Sequence, residues 1–269
     1  MDYHVKEYYR QSSDETPHGN FHAVIALHEN PNLSWKSLKD KVPDLSRGWF
    51  ELAHLSAKDR IEFTRDFWLS KLPYSPNLND FLYRFFSTLD DIGVFITQKK
   101  FEDPYDTHLV YSIKNNSGFF RGAPPISEKH LLILQKSFSD FMLPSDYLAF
   151  MQIHDGFRKA TDCTGITRST DMLEVYKRLQ YLIQQHEPIM TSRGATVDPK
   201  TLIPFYESFG MPFYQCFWAE WYPKEEMGNV YYSGETNTIA DAYSGGASSE
   251  VLAFPTFVDW LIFYLESIE

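Results

Sequence analysis

Cysteine is scarce in this sequence. Only Cys163 and Cys216 occur among 269 residues, and they lie far apart. A secreted fold held by disulfides, or a zinc site built from thiolates, needs more cysteines at closer spacing. We therefore expect both thiols to be reduced and the protein to work in the cytoplasm, a reducing compartment. The surrounding pattern predicts a loop position for Cys163 and a core position on a strand for Cys216.

Clustered positive charge is also missing. The chain has 25 Lys and Arg against 36 Asp and Glu, a formal net charge of −11, and no run of three basic residues. Proteins that bind nucleic acids or anionic membranes need patches of Lys and Arg to contact phosphates. We therefore expect neither nucleic acid nor membrane as a partner. A negative surface favours a basic protein partner instead.

Long apolar segments and catalytic motifs are absent from the sequence as well. Its first residues lack the apolar core of a signal peptide, and no apolar run approaches the length of a membrane span. No glycine-rich phosphate loop, HExxH or GxSxG motif occurs. We therefore predict no catalytic residue, no metal site and no cofactor.

The first half of the chain is predicted to be helical and then to change to strands. Residues 1–20 are polar and are predicted to form a flexible tail. Residues 21–125 are predicted to form an α+β region that starts with a short helix at "FHAVIALHEN". A later helix is capped by Ser56 with Asp59, and its predicted buried face is Ile61, Arg65, Trp68, Leu69 and Leu72. The runs "DIGVFITQKK", "THLVYSI" and "FFRG" predict a small β-meander, and "GAPP" at 122–125 predicts a linker.

The second half, residues 126–269, is predicted to be an α+β domain with helices flanking an antiparallel sheet. Its pattern gives three helices, then three strands at "TLIPFYES", "FYQCFWAEWY" and "GNVYYSG", then a final helix. Ser127 is placed to cap the first helix, with Leu131, Leu134, Phe138 and Phe141 or Met142 buried. Pro255 is placed in the first turn of the last helix. The Gly- and Ser-rich run at 243–250 is predicted to be a flexible loop.

The segment "LPSDYLAFMQIHDGF", residues 143–157, has two interpretations. As structure, Pro144 begins a helix that buries Tyr147 and its apolar neighbours, and Gly156 ends it in a left-handed conformation. As chemistry, His154 and Asp155 are a possible acid–base pair, but they need a nucleophile or metal ligands nearby, and no motif supplies them. The structural interpretation is favoured, because helix-end preferences explain all three residues of His154–Gly156.

The segment "FWAEWYPKEE", residues 217–226, is the best surface candidate. Strand alternation would place Trp218, Glu220 and Tyr222 on one face and Phe217, Ala219 and Trp221 on the other. Burial of both faces under helices is the favoured interpretation. If one face is open, its rings beside carboxylates would be anchors for a partner. The predicted partner-binding residues are Trp218, Glu220, Tyr222 and Glu225.

Residues 126–269 resemble a SUKH (SMI1/KNR4-like) domain. The matching features are Leu143-Pro144, Asp146-Tyr147, Phe150 and Asp155-Gly156, followed by Leu202–Phe205, the aromatic run at 213–222, Gly228–Tyr232 and the helix at Phe254–Leu265. The resemblance implies an α+β fold, no catalytic activity and binding to other proteins. Bacterial members of that superfamily resemble immunity proteins that neutralise toxins, and fungal members act as scaffolds.

Three functions are therefore kept open. The first is a non-enzymatic, intracellular protein-interaction module, similar to immunity proteins or regulatory scaffolds, with a basic protein or toxin as partner. The second is a small-ligand-binding protein or an enzyme whose site lies between the two halves and uses His154, Asp155, Trp218 and Glu220. The third is a structural subunit of a fixed assembly. The sequence does not determine the oligomeric state.

Overall fold

The computed structural model describes residues 1–12, 19–162, 164–191, 193–208, 212–240 and 252–266. The fold is α+β, as predicted, and is built from antiparallel strands with flanking helices. Contacts between residues divide the chain into two compact units. Unit 1 contains Met1–Pro125 and Phe157–Thr161, and unit 2 contains Ile126–Gly156 and Asp162–Ser267.

Unit 1 is a five-stranded antiparallel sheet with helices. Neighbouring strands in the chain pair with one another in the order β1-β2-β3-β4-β5. The strands are β1 (Ala23–Ala26), β2 (Leu89–Gln98), β3 (Asp106–Ile113), β4 (Phe119–Gly122) and β5 (Phe157–Lys159). The helices are α1 (Tyr3–Tyr8), α2 (Trp35–Leu38), α3 (Arg47–Ala53), α4 (Ala57–Lys71) and α5 (Pro76–Ser87).

Helices cover both faces of the unit 1 sheet. On one face, Trp68 of α4 donates an indole hydrogen bond of 2.9 Å to the hydroxyl of Tyr111 on β3. Helix α5 packs on the same face, where the Phe85 ring meets the Phe120 ring at 5.6 Å. On the other face, α1 contributes to a buried apolar cluster that contains Val5, Tyr9, Phe21, Phe95, Val110 and Phe119. The aromatic content of the sequence is thus used in the core.

Two predictions for the start of unit 1 are wrong. The predicted tail includes α1, which is capped by the Asp2 carboxylate and anchored by the fully buried Val5. A helix of six residues is too short to give a clear periodic pattern. The predicted helix at "FHAVIALHEN" is instead β1 followed by a 3₁₀ turn, Leu27–Glu29. There, strand pairing of Ala23–Ala26 with β2 overrides the helix propensity of alanine.

The capping of α4 is confirmed, and so is the burial of Trp68 and Leu72, whereas the other predicted face residues, Ile61, Arg65 and Leu69, are only half-buried. Ser56 accepts a hydrogen bond from the N–H of Asp59, as predicted. The residues buried along the helix are Arg60, Thr64 and Trp68, spaced by four. Arg60 faces inward because the carboxylate of Asp91, 2.7 Å away, neutralises its guanidinium. A pattern of apolar residues alone cannot predict this arrangement.

Unit 2 contains further antiparallel strands and, in its described residues, four helices. The helices are α6 (Glu128–Ser137), α7 (Ser145–Met151), α8 (Met172–Gln184) and α9 (Phe257–Glu266). Strands β6 (Gly165–Ile166), β7 (Leu202–Ser208), β8 (Phe213–Trp218) and β9 (Asn229–Ser233) pair in that order. The short strands β10 (Thr238–Ala240) and β11 (Ala253–Phe254) both pair with β9. The four helices and the three longer strands confirm the predicted pattern.

Side-chain alternation on β8 separates two layers of core in unit 2. Tyr214, Cys216 and Trp218 belong to a cluster with the buried face of α8, which includes Val175 and Leu179. Phe217 points to the opposite face. There its ring lies 5.1 Å from that of Tyr147 on α7 and 6.5 Å from that of Phe257 on α9. Both faces of the strand are therefore covered by helices.

The structure corrects one detail of the predicted unit 2 helices and decides between the alternatives in another. Pro255 lies before α9 and not in its first turn. The Thr256 hydroxyl instead accepts from the N–H of Asp259 at 3.1 Å and caps the helix. On α6 and in the turn after it, Leu134 and Phe138 are buried as predicted, Leu131 and Phe141 are half-buried, and Met142, the alternative to Phe141, is 83% exposed. The predicted loop at 243–250 lies outside the described residues.

Candidate functional site

The His154-Asp155-Gly156 turn is a buried structural corner. Helix α7 ends at Met151, earlier than predicted, and the N–H of His154 then donates to the carbonyl of Phe150 at 2.9 Å. The His154 side chain is only 1% exposed. Gly156 has φ +102°, which confirms the predicted left-handed conformation. This corner sends the chain from α7 into β5.

Asp155 anchors a distant loop. Its carboxylate accepts hydrogen bonds from the backbone N–H and the hydroxyl of Ser169, both at 2.6 Å. Burial raises the pKa of Asp155 above its ordinary value, while the bonds from Ser169 and the charge of Arg168 oppose that rise. Both oxygens of this carboxylate are thus used to hold the residues that precede α8. These bonds give Asp155 a structural role.

Cys216 and Trp218 are both core residues. Cys216 is fully buried, as predicted, and burial raises the pKa of its thiol well above the ordinary range. Trp218 is 6% exposed and packs with the buried side chains of α8. The prediction that Trp218 belongs to a partner-binding surface is therefore wrong. Cys163 lies outside the described residues.

The chain after β8 forms a closed loop, residues 219–228. The N–H of Trp218 donates to the carbonyl of Gly228 at 3.0 Å, and the N–H of Gly228 donates to the carbonyl of Trp221 at 2.9 Å. The Trp221 ring lies so close to Gly228 that a Cβ added there would be 2.4 Å from it. The loop is also tied to the turn before β7, because the N–H of Ala219 donates to the carbonyl of Thr201 at 2.9 Å. These contacts fix the conformation of the 219–228 loop.

Side chains of the 219–228 loop also contact the first turns of two helices. The Glu226 carboxylate accepts from the N–H of Ser145 at 3.0 Å and so caps α7, whose N-cap residue Pro144 provides no side-chain acceptor. Lys224 lies 3.6 Å from the carboxylate of Asp259 in the first turn of α9. Neither contact was predicted from the sequence. Adjacent glutamates give no signal that one of them will cap a helix 81 residues away.

The outward side of the 219–228 loop carries three of the four predicted partner-binding residues. Tyr222 is 54% exposed, and Glu220 and Glu225 are exposed on either side of it in the sequence. The strand ends at Trp218, so the predicted alternation does not continue into these residues. The loop therefore exposes an aromatic residue and two glutamates within six residues of sequence, while Trp218 is in the core.

Comparisons of the chain with protein-family models, with curated proteins and with solved structures find no match. The resemblance of residues 126–269 to SUKH domains therefore stays a prediction. Among the residues that the structure describes, no helix is long and apolar enough to span a membrane. Within the same residues, no group of three or more His, Cys, Asp or Glu side chains is arranged to hold a metal ion.

Proposed function

We propose that the protein is a non-enzymatic, cytoplasmic protein-interaction module that binds a basic protein through its 219–228 loop. The observation that carries this proposal is the exposure of Tyr222, Glu220 and Glu225 together on a loop fixed by internal hydrogen bonds. Tyrosine is among the residues that most often anchor protein interfaces. A fixed loop loses little conformational entropy when it binds, so more of the contact energy is available as affinity.

The charge of the protein supports a basic partner. The net charge of −11 attracts positive proteins over long distances, and the two exposed glutamates of the loop would pair with Lys or Arg at close range. A SUKH-like second half would be consistent with this role. In that superfamily the partner is a toxin or a component of a regulatory assembly, and both classes are candidates here.

The proposed enzyme or ligand site at His154, Asp155, Trp218 and Glu220 is less well supported. Trp218 packs on the α8 side of the unit 2 sheet. His154 and Asp155 follow α7, whose Tyr147 packs on the opposite side, against Phe217. The carboxylate of Asp155 is already bonded to Ser169, and Glu220 is exposed. The Trp218 ring and the Asp155 carboxylate thus already have structural roles in packing and hydrogen bonding.

Affinity capture with matched variants tests the binding proposal. The wild-type chain is used to capture partners from lysate at low ionic strength, and the recovered protein is purified and titrated by calorimetry. We expect Tyr222→Ala to weaken binding at least about tenfold, the effect of losing an interface anchor. Tyr181→Ala is the control, because Tyr181 is equally aromatic and 68% exposed but lies on α8.

The two glutamates test the electrostatic part of the proposal. We expect Glu220→Gln with Glu225→Gln to slow association and to reduce its dependence on salt, because rim charges act mainly on the rate of encounter. Equal binding by the wild type, the Tyr222 variant and the double glutamine variant would exclude the 219–228 loop as the interface.

A further inference from the structure

Helix α6 of unit 2 exposes apolar side chains on its outer face. Leu134 is the buried residue of this helix, whereas Leu132 and Ile133 are 66% and 50% exposed. The outer face of a surface helix usually carries charged or polar residues, and adjacent exposed apolar residues mark candidate interfaces. Contact with another protein surface would remove both side chains from water and so favour association.

Two opposite charges flank Leu132 on the same side of α6. Glu128 lies four residues before it and Lys136 four residues after it, and both are exposed. Residues four apart lie on one side of a helix, so these three side chains form a stripe about 12 Å long, which we call the α6 stripe. The two charges are too far apart along the helix to pair with each other. Among the described residues, neither forms an ion pair with any other side chain.

The α6 stripe is complementary to its own reverse. If two copies of α6 pack antiparallel with a two-fold axis at Leu132, Glu128 of each copy lies opposite Lys136 of the other. The two Leu132 side chains then meet on the axis. Lys129 of each copy lies opposite Gln135 of the other, so no like charges face each other. The antiparallel arrangement also brings the positive N-terminal end of each helix near the negative C-terminal end of its neighbour.

We infer that the protein binds a second copy of itself through the α6 stripe. A second copy fits this surface because each charge finds its opposite at the same spacing, and the apolar side chain lies between them. The helix has 10 residues. It therefore covers less than the roughly 800 Å² per partner of a standard interface, and the dimer is weak and reversible. This inference does not depend on partner binding by the 219–228 loop.

Sedimentation equilibrium of the full chain over a range of concentrations is the direct test. We expect a monomer–dimer equilibrium with a dissociation constant of about 10 µM to 1 mM. Leu132→Ser should weaken the dimer at least about tenfold, because the side chain on the axis is lost from both copies. Phe63→Ser is the control, since Phe63 is 58% exposed but lies on α4 of unit 1. A wild type that stays monomeric at about 1 mM would leave the stripe to a different protein and overturn the inference.

Reversal of the two charges identifies the interface and its symmetry. Glu128→Lys and Lys136→Glu each create two contacts between like charges, so each should weaken the dimer at least about fivefold. An equal mixture of these two variants should recover association, because every contact between them again joins opposite charges. Lys41→Glu is the control, since it changes the charge as Lys136→Glu does but at an exposed position of unit 1.

The same variants separate local pairing from the overall charge of the chain. The net charge of −11 makes two copies repel at long range, and Glu128→Lys reduces that repulsion. If overall charge alone governed association, Glu128→Lys would strengthen the dimer, whereas pairing across the α6 stripe requires it to weaken. A stronger dimer in this variant would contradict the inference. So would a mixture of Glu128→Lys and Lys136→Glu that associates no better than either variant alone.

Discussion

The carboxylate of Asp146 accepts a hydrogen bond from the backbone N–H of Val258, 3.0 Å away and 112 positions along the chain. Its second oxygen accepts from the N–H of Tyr147 at 2.8 Å. One buried carboxylate thereby satisfies an N–H group in the first turn of α7 and another in the first turn of α9. The acidic residue of the "LPSDY" segment thus joins two helices of unit 2.

Replacing Asp146 by alanine should destabilise unit 2 by about 1–3 kcal/mol, since it leaves two N–H groups at helix starts without their acceptor. The measurement is urea unfolding followed by circular dichroism. Asp140→Ala is the control, because Asp140 is exposed in the same unit, and it should change the free energy of unfolding by less than about 0.5 kcal/mol. Equal effects of the two substitutions would show that the bond to Val258 contributes nothing.

Local patterns in the sequence are sufficient to predict most of the helices and strands. The Ser56–Asp59 pair indicates the start of α4, and Ser127, whose hydroxyl accepts from the N–H of His130, indicates the start of α6. Such signals depend on residues three or four positions apart, so they need no knowledge of the tertiary structure. Elements that depend on distant partners were missed, among them α1 and β1.

Part of the candidate site could be predicted in the same way. The segment that contains Glu220, Tyr222 and Glu225 was identified from its composition, and its exposed side chains are consistent with that choice. Trp218 was placed with them only because the strand was assumed to continue. The strand ends at Trp218 because the backbone of residues 219–228 closes on itself through Trp221 and Gly228. That closure depends on the pairing of β8 with β9, which the spacing of aromatic residues does not show.

The buried ion pair of unit 1 also shows the limit of pattern analysis. Adjacent acids such as Asp90 and Asp91 are typical of a solvated surface, yet Asp91 is 9% exposed. Its carboxylate binds Nη2 of Arg60 at 2.7 and 2.9 Å, and the same guanidinium donates to the carbonyls of Leu55 and Ile92. A pattern of apolar residues does not show which charged side chains neutralise each other. It therefore cannot predict that this ion pair is buried.

Removing one member of the Arg60–Asp91 ion pair should greatly reduce the stability of unit 1. We expect Asp91→Ala to destabilise unit 1 by about 3–5 kcal/mol, because it leaves the buried Arg60 guanidinium without a counter-charge. The double variant Arg60→Met with Asp91→Leu should recover much of that loss, since two apolar side chains need no counter-charge. Guanidinium unfolding of both variants measures the difference. A double variant no more stable than Asp91→Ala would contradict this account.

The left-handed glycine of the His154–Gly156 corner gives a separate prediction. Gly156→Ala and Gly118→Ala both introduce a side chain at positive φ, +102° and +106°, at a cost of about 1–2 kcal/mol each. A Cβ at Gly156 would also lie 2.7 Å from Cγ of Arg168, whereas nothing lies within 4 Å at Gly118. The Gly156 variant should therefore be clearly less stable in thermal unfolding. Equal losses of stability in the Gly156 and Gly118 variants would mean that the Arg168 side chain moves away from the new Cβ without an energetic cost.

Asp155 should make the stability of the protein fall as pH rises above the ordinary range of an aspartate pKa. Burial raises its pKa in the folded state, so between the unfolded and folded pKa values the folded chain keeps a proton that the unfolded chain has lost. The stabilisation is complete below the unfolded pKa and is lost as pH rises through the folded one. Asp155→Asn retains an acceptor for Ser169 but does not titrate. Its free energy of unfolding, measured in urea from acidic to neutral pH, should lack this decline. A parallel pH profile in the wild type and the variant would show that Asp155 titrates alike in both states.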